Sequence, residues 1–143
     1  MILLDANVVV ASYRADLPQH RVTRPWLDNI IRHREPFAVP DEVWSAFIRI
    51  ITNRRIFDIP TPRGEAFEFI SAVRDQPAHV PVSPGPRRFE IFQHLCEVGE
   101  ASGDLIPDAF LAALAIEQGA TLVSFDRDFA RFPGLHWNSP AAP

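Results

Sequence analysis

The chain has 143 residues, of which 47% are hydrophobic and 22% are charged, so we predict a single globular domain spanning residues 1–143. No apolar run approaches the roughly 20 residues of a membrane span. No basic segment followed by a long apolar stretch opens the chain, which predicts that there is no signal peptide. The single cysteine excludes an internal disulfide, and these features together predict a cytoplasmic protein without a membrane partner.

The net charge of −4, from 14 basic and 18 acidic residues, argues at first against a nucleic-acid partner. Five of the acidic residues are candidates for one cation site: Asp5, Glu42, Asp108, Asp126 and Asp128. With these five negative charges set aside, the rest of the chain carries +1. A near-neutral exterior around an acidic site is compatible with an anionic substrate but does not require one.

In the first half of the chain, hydrophobic periodicity predicts strands that alternate with helices. A short buried strand at residues 2–4 precedes a helix at 20–34, in which Pro25 marks a bend or a late helix start. A strand at 36–39 is followed by a helix within 40–53. The apolar stripe that identifies this helix consists of Val43, Trp44, Phe47, Ile48 and Ile51.

The second half continues the alternation. A helix within 59–76 is predicted to begin with Thr61 as the N-cap and Pro62 as the first helical residue. Two further helices, at 86–99 and 106–119, each end at a glycine. The predicted strands of this half are a short one at 79–83, one at 121–125 and one at 135–137.

This alternation predicts an α/β fold with a central, mostly parallel β-sheet covered by helices on both faces. In open sheets of this kind, ligands bind beyond the carboxyl ends of the strands. Asp5 follows the first strand directly and Asp126 follows the strand at 121–125, so their carboxylates converge if the two strands are neighbours. Asn7 is placed to hold either Asp5 or the turn by a side-chain hydrogen bond.

Two further aspartates belong to the same edge of the sheet in this scheme. Asp108 lies in the first turn of the helix before the 121–125 strand, although an acid there also complements the helix dipole. Asp126 and Asp128 also suit a turn. On an extended segment their side chains lie roughly 6–7 Å apart, so we expect Asp126 to be the direct or one-water ligand. Asp128 is expected to act through water, to hold a second and weaker ion, or to cap the following turn.

Several carboxylates at one sheet edge repel one another unless a cation lies among them. Oxygen ligands without His or Cys partners favour Mg²⁺ or Mn²⁺, and the five histidines show no ligand spacing. No phosphate-binding loop, dinucleotide fingerprint, serine-hydrolase or zinc-protease motif occurs. A carboxylate-bound Mg²⁺ indicates phosphoryl chemistry with an activated water. A phosphatase with an aspartyl intermediate is an alternative, but that chemistry needs a second Asp where this chain has Asn7.

The stretches "ILLDANVVV", "IPDAFLAALAIEQGATLVSFDRDF" and "FARFPGLHW" resemble PIN-domain proteins, in particular VapC-type toxins of toxin–antitoxin pairs. The similarity covers nearly the whole chain. It implies a three-layer α/β/α sandwich, a Mg²⁺- or Mn²⁺-dependent endoribonuclease, a homodimer and a VapB-type antitoxin that covers the acidic cleft. The residue roles that it implies are Asp5, Asp108 and Asp126 as metal ligands, Asp128 as an accessory acid and Ser124 as a hydroxyl near the site.

The chain departs from this family pattern in the helix after the second strand. The family has a glutamate there, whereas Ala46 occupies its expected position. Glu42 lies one turn earlier, ~5 Å away on the same face. It either replaces the missing acid as a catalytic residue or only complements the helix dipole, behind an Asp41 N-cap. The departure leaves open a degenerate member that binds RNA or a protein partner without cutting.

The remaining candidates are polar residues around these elements. Asp104, in the loop before Asp108, is either an outer acid of the site or a turn residue. Arg49 and Arg127 are candidate RNA contacts, since contacts to phosphate position RNA without reading its sequence. Five more arginines are expected to be solvated charges that contact phosphates only as a set: Arg54, Arg55, Arg87, Arg88 and Arg131.

Overall fold

A central parallel sheet organises the computed structural model, which describes residues 1–140. Its strands are β1 (Ile2–Leu4), β2 (Phe37–Ala38), β3 (Thr121–Val123) and β4 (Trp137–Asn138). They lie in the order β2-β1-β3-β4, and every neighbouring pair is parallel. The predicted fold, a three-layer α/β/α sandwich, is confirmed, and the sheet formed by the described residues is parallel throughout.

Six α-helices within residues 1–140 surround this sheet. They are α1 (Ala6–Tyr13), α2 (His20–His33), α3 (Asp41–Ile51), α4 (Arg63–Arg74), α5 (Arg88–Val98) and α6 (Leu105–Glu117). Helix α1 packs against α2 and α3, α3 packs against α4, and α5 packs against α6. The core contains the fully buried side chains of Phe37, Phe47 and Leu122.

The connections on either side of β1 create a crevice at its carboxyl end. Ile2 of β1 pairs with Phe37 of β2 on one side and with Thr121 of β3 on the other. The chain therefore leaves β1 for β2 on one side and reaches β3 on the opposite side, and such a switch point is where α/β sheets bind ligands. Beyond the strands, the Asp5 amide donates to the Val123 carbonyl at 3.0 Å, which keeps Asp5 beside the end of β3.

Helix α1 was not predicted from the sequence. The run Val8–Val10 is β-branched, which favours strands, and six of the eight residues of the helix are buried, so no amphipathic period is visible. The helix begins where it does because Asp5 caps it, with the Ala6 amide donating to Oδ1 of Asp5 at 2.7 Å.

Helix α2 corrects the interpretation of Pro25. The helix begins at His20 and continues through Pro25, so a late start at the proline is wrong. Burial of Leu27 and Ile30 on its apolar face stabilises the helix by more than the cost of the one helical hydrogen bond that a proline cannot donate.

Two predicted caps are also wrong. Pro62 occupies the N-cap position of α4, and the Thr61 hydroxyl instead accepts a hydrogen bond from Nη1 of Arg14 at 3.1 Å. The hydrogen bond from Arg14 to Thr61 thus connects the end of α1 to the segment before α4. In α3 the N-cap is Pro40, and Asp41 is the first helical residue.

The predicted strand at 79–83 is reduced to a single bridge between His79 and Phe37. Pro81 and Pro84 have no amide hydrogen to donate, so the segment cannot extend the ladder. The predicted strand at 135–137 appears as β4, one residue further along. No helix among residues 1–140 is long and apolar enough to cross a membrane. The predicted domain end at residue 143 lies outside the described residues.

Candidate active site

A cleft opens beside the carboxyl end of β1, between α3 and α6. We call it the acidic cleft, because Asp5, Glu42 and Asp108 all line it. Ala46 and Arg49 of α3, together with Phe110 of α6, form part of its walls. Acids from distant parts of the sequence therefore meet in one cleft, which Arg49 also lines.

Asp5 is fixed in this cleft by hydrogen bonds to both carboxylate oxygens. The Ala6 amide donates to Oδ1, and the Ser124 hydroxyl donates to Oδ2 at 2.7 Å. Burial raises the pKa of Asp5, the two hydrogen bonds oppose that rise, and the negative charge of Asp126 adds to it. The side chain thus has a set direction and an environment that disfavours its negative charge.

Ser124 is the centre of the hydrogen-bond network at the end of β3. It is completely buried, and its oxygen accepts from Nδ2 of Asn7 and from the Asp126 amide, each at 3.0 Å. Oδ1 of Asn7 accepts from the Phe125 amide at 3.2 Å. Asn7 therefore holds the turn after β3 and reaches Asp5 only through Ser124, which decides between the two roles predicted for it.

The pKa of Asp108 is shifted more than that of any other acid discussed for this site. It lies in the first turn of α6, and its pKa is raised to about 6 by burial and then by the charges of Asp126, Asp5, Asp128 and Asp104, in decreasing order. Like charges raise a carboxyl pKa only when they lie near one another. Asp104 stands at the N-cap position of α6 without a side-chain capping bond and contributes least to this shift.

The two aspartates of the "SFDRDF" segment have different roles. Asp126 is the N-cap of a short 3₁₀ helix (Arg127–Arg131) and accepts from the Asp128 amide at 2.8 Å. The capping role considered for Asp128 is therefore wrong. The Asp128 carboxylate is 55% exposed and lies 3.9 Å from Arg131. Neither aspartate lines the acidic cleft directly, although Asp126 acts electrostatically on both Asp5 and Asp108.

Glu42 is paired with an arginine that the sequence analysis assigned to the surface. Oε1 of Glu42 accepts from Nη2 of Arg88, and Arg88 is only 6% exposed. The missed signal is the position of Arg88 on the apolar stripe of α5, seven residues before the buried Leu95. Arg127, by contrast, borders a separate recess with Phe125 and Trp137, outside the acidic cleft.

The donor chemistry of the cleft fits the divalent cation that the resemblance implies. Its candidate ligands are carboxylate oxygens alone, as Mg²⁺ and Mn²⁺ prefer, and their mutual repulsion at Asp108 is what a cation would relieve. Within residues 1–140, no group of three or more His, Cys, Asp or Glu side chains is already arranged as a metal site. The fit is thus one of chemistry and location. The residues that would hold the ion by the resemblance are Asp5, Asp108 and Asp126, of which Asp5 and Asp108 line the cleft and Asp126 does not.

Comparison with known families places this geometry in context. A family model for the PIN domain matches residues 2–135, nearly the whole chain. The chain therefore belongs to the PIN-domain family.

Within that family, the chain is similar to VapC proteins of Mycobacterium tuberculosis. It is 53% identical to Ribonuclease VapC31 and 51% identical to Ribonuclease VapC25, each over 140 residues that cover 98% of this chain and 99% of the relative. Ribonuclease VapC43 is 41% identical over 140 residues, which cover 98% of this chain and 95% of that protein.

Solved structures show the same fold at low sequence identity. VapBC2 from Rickettsia felis, bound to a DNA fragment from its promoter, matches with a TM-score of 0.68 at 16% identity, covering 97% of this chain and 98% of that chain. VapC20 from Mycobacterium tuberculosis, a toxin that cleaves the sarcin–ricin loop, matches with a TM-score of 0.62 at 16% identity, covering 95% of this chain and 99% of that chain. At this identity the likeness concerns the fold alone.

Proposed function

We propose that this protein is a Mg²⁺- or Mn²⁺-dependent endoribonuclease that hydrolyses RNA phosphodiester bonds and acts as the toxin of a toxin–antitoxin pair. The observation that carries the proposal is the acidic cleft, where Asp5, Glu42 and Asp108 from three separate elements meet at the switch point of the sheet. Similarity over nearly the full chain to proteins named ribonucleases supports the reaction class.

The residues of the cleft have separable roles in this proposal. A bound divalent cation lowers the pKa of a water molecule and offsets the negative charge that develops on the phosphate. Asp5, oriented by the Ser124 hydroxyl and the Ala6 amide, presents its carboxylate in a fixed direction. Asp108 supplies a second carboxylate from α6, and Asp126 supplies negative charge from the turn after β3.

Among the described residues that line the cleft, the positive side chain is that of Arg49. Arg49 lines the cleft one turn after Ala46, where its guanidinium is placed to pair with an RNA phosphate. Such a contact holds the backbone near the carboxylates without selecting a sequence. Asp128 and Asp104 are assigned to the periphery, where they add to the negative field on Asp108.

The test is cleavage of a mixed RNA by the purified protein in Mg²⁺, in Mn²⁺ and in chelator. We expect cleavage only with metal, and Asp5→Asn should reduce the rate by about 100-fold or more, because metal catalysis supplies several kcal/mol. The matched control is Asp75→Asn, which makes the same chemical change at an exposed residue at the end of α4. Equal cleavage in chelator, or by the Asp5 variant, would contradict the proposal.

The proposal includes the partners that the resemblance implies. Solved neighbours of this fold include complexes titled VapBC and FitAB, which supports a VapB-type antitoxin as a partner of this chain. We place that antitoxin over the acidic cleft, with an Arg as the plug, since guanidinium pairs well with carboxylates. A homodimer and a cytoplasmic location, where RNA and antitoxin are both present, complete the proposal.

Co-expression with the product of the neighbouring gene tests the antitoxin. Cells whose growth is arrested by the toxin alone should grow again when the neighbouring gene is co-expressed. In the purified complex, the backbone amides of Asp5 and Asp108 should exchange hydrogen more slowly than in the free protein. A bound neighbour that left both the cleft and the cleavage rate unaltered would contradict this part of the proposal.

A second candidate function is binding of RNA or a protein partner without cleavage. The observation that favours it is Ala46, which lines the cleft where the family has its glutamate and supplies no ligand. The same assay separates the two candidates, since a binding protein would retard RNA in a gel in Mg²⁺ and leave it intact.

A further inference from the structure

We propose that Arg88 is a positioning residue that holds the Glu42 carboxylate at the acidic cleft, so that Glu42 contributes to cation binding from one turn before the expected position. This inference rests on the proposed function, because it assigns Glu42 to the same cation. It concerns a pair of residues 46 positions apart, Glu42 at the start of α3 and Arg88 at the start of α5.

The guanidinium of Arg88 is fixed by groups other than Glu42. Nε and Nη2 of Arg88 donate to the Phe110 carbonyl at 3.2 and 2.8 Å. Its central carbon also lies 3.5 Å from the centroid of the Phe110 ring, in cation–π geometry. Phe110 belongs to α6 and lines the acidic cleft, so Arg88 is anchored to the wall that carries Asp108.

Glu42 is held across the cleft by this anchored group. The two side chains differ in exposure, with that of Arg88 at 7% and that of Glu42 at 33%. The contact uses Oε1 of Glu42, while the second oxygen takes no part in it. The pair therefore joins α3 to α5 and α6, and it restrains a side chain that otherwise has many rotamers.

This restraint lets Glu42 take the place of the glutamate that the family has where this chain has Ala46. Ala46, at the position where the family has its glutamate, lines the cleft and supplies no ligand. Glu42 lies on the same wall one turn earlier, ~5 Å away along the helix. Hydrogen bonds from neighbouring side chains commonly orient a carboxylate that binds a metal, and Arg88 is positioned to do this for Glu42.

The competing role for Arg88 is purely structural, as an ion pair that ties three helices together. A structural pair would lower stability on mutation but would not couple specifically to metal affinity through Glu42. A double-mutant cycle measures that coupling directly. The proposed readout is the dissociation constant of Mn²⁺ for the folded, full-length protein, measured by titration calorimetry without RNA.

The cycle compares the parent, Arg88→Met, Glu42→Gln and the double variant. Arg88→Met should weaken Mn²⁺ binding by about tenfold, as loss of an orienting partner does. In the Glu42→Gln background the same change should have no further effect, because its target is already gone. Arg87→Met, which removes the adjacent but exposed arginine, should leave the dissociation constant unchanged.

Two outcomes would overturn the inference: an unchanged Mn²⁺ affinity in Arg88→Met, or an equal loss in both backgrounds. If Arg88→Met fails to fold, Arg88→Lys completes the cycle. It keeps the charge, but it cannot serve Glu42 and the Phe110 carbonyl in the same fork geometry, so a loss of severalfold is expected. Arg88→Lys with parental affinity would then overturn the inference.

The RNA-cleavage assay separates this inference from the proposed function. A parent that shows the predicted coupling but leaves RNA intact would overturn the ribonuclease proposal alone. A parent that cuts RNA but shows no coupling would overturn only the role of Arg88. A folded parent that binds no Mn²⁺ at millimolar concentration would overturn both.

Discussion

Two groups of acidic residues in and around the cleft are held in different ways. At the strand ends, Asp5 and Asp126 are fixed by hydrogen bonds that converge on the buried Ser124 hydroxyl. On the helices, Glu42 and Asp108 reach the cleft from α3 and α6, where Glu42 is paired with Arg88 and Asp108 is perturbed by like charges. We call these the strand-end group and the helix-borne group.

The difference shows how one site combines precisely positioned side chains with a high density of negative charge. Short parallel strands place Asp5 and Ser124 next to each other through the sheet register, so small side chains suffice to lock them. The positions of helix ends are less constrained by their neighbours than the positions of paired strands. The energy of a carboxylate at a helix end therefore depends more on the charges around it. We therefore expect Ser124 to act through the geometry of Asp5, and Asp126 and Asp108 to act through charge.

The largest expected effect tests the unequal roles of the two aspartates in "SFDRDF". Asp126→Asn should reduce RNA cleavage by about 100-fold at every metal concentration, because it removes a charge close to Asp5 and Asp108. Asn can still accept from the amide of residue 128, so the turn should persist. The measurement is the cleavage rate titrated with Mg²⁺ and with Mn²⁺.

Asp128→Asn is the matched comparison for that variant, since it makes the same chemical change two residues away. Its carboxylate is more exposed and contributes less than Asp126 to the negative field at Asp108, so the loss should be smaller and partly rescued by raising Mg²⁺ or by Mn²⁺. Identical metal-dependence curves for the two variants would show that this division of roles is mistaken.

The next prediction concerns the hydrogen bond that defines the strand-end group. Ser124→Ala removes the donor to Oδ2 of Asp5 and the acceptor for Asn7 and for the Asp126 amide. Cleavage should fall by about tenfold, the lower end of the range for removing a partner of a metal ligand. Thermal stability should fall as well, because buried polar groups lose their partner.

Ser12→Ala is a suitable control for Ser124→Ala, since Ser12 is equally buried but bonds only to the Val9 carbonyl of its own helix. It should lower stability without changing the cleavage rate of the folded protein. If Ser124→Ala cut RNA at the parental rate, the orientation of Asp5 by Ser124 would have no role in activity.

The strand-end group could be anticipated from sequence far better than the helix-borne group. Apolar runs followed by an acid identify both strand ends, although β3 ends at Val123, two residues before the predicted end and three before Asp126. The sequence signal failed at α1, where a β-branched run is buried on nearly every side and shows no helical period. Its cap, Asp5, was identified only as a ligand, although one residue serves both purposes.

Local sequence contained too little information about the helix-borne group. Glu42 is one predicted substitute for the missing acid, but its partner Arg88 lies 46 residues later and looks like one half of a surface Arg–Arg pair. A pairing of this kind depends on how α3, α5 and α6 pack, which hydrophobic periodicity does not determine. The raised pKa of Asp108 likewise depends on how deeply the packing buries it and on the nearness of four other acids.

The smallest expected effect tests the charge on the helix-borne group through the pH dependence of stability. The pKa of Asp108 is about 6 in the folded protein, against 3.8 as its ordinary value. The folded state therefore binds this proton more tightly than the unfolded state, and its contribution to stability falls as pH rises from about 4 to about 6. Above that window, without metal, the ionised Asp108 destabilises the fold.

Asp108→Asn removes this dependence, so the variant should become more stable relative to the parent as pH rises from 4.5 to 7.5 in chelator. Because Asp108 is partly exposed and its charge also favours the start of α6, we expect a difference of only about 1 kcal/mol in unfolding free energy. Added Mg²⁺ should stabilise the parent at pH 7.5 more than the variant, since a cation bound to Asp108 stabilises the native state by mass action. Denaturant unfolding at the two pH values measures both effects, with Asp75→Asn as the control for a lost exposed charge. A stability difference that stayed constant across this window, or that favoured the parent at high pH, would mean that burial and repulsion among the acids do not raise the pKa of Asp108.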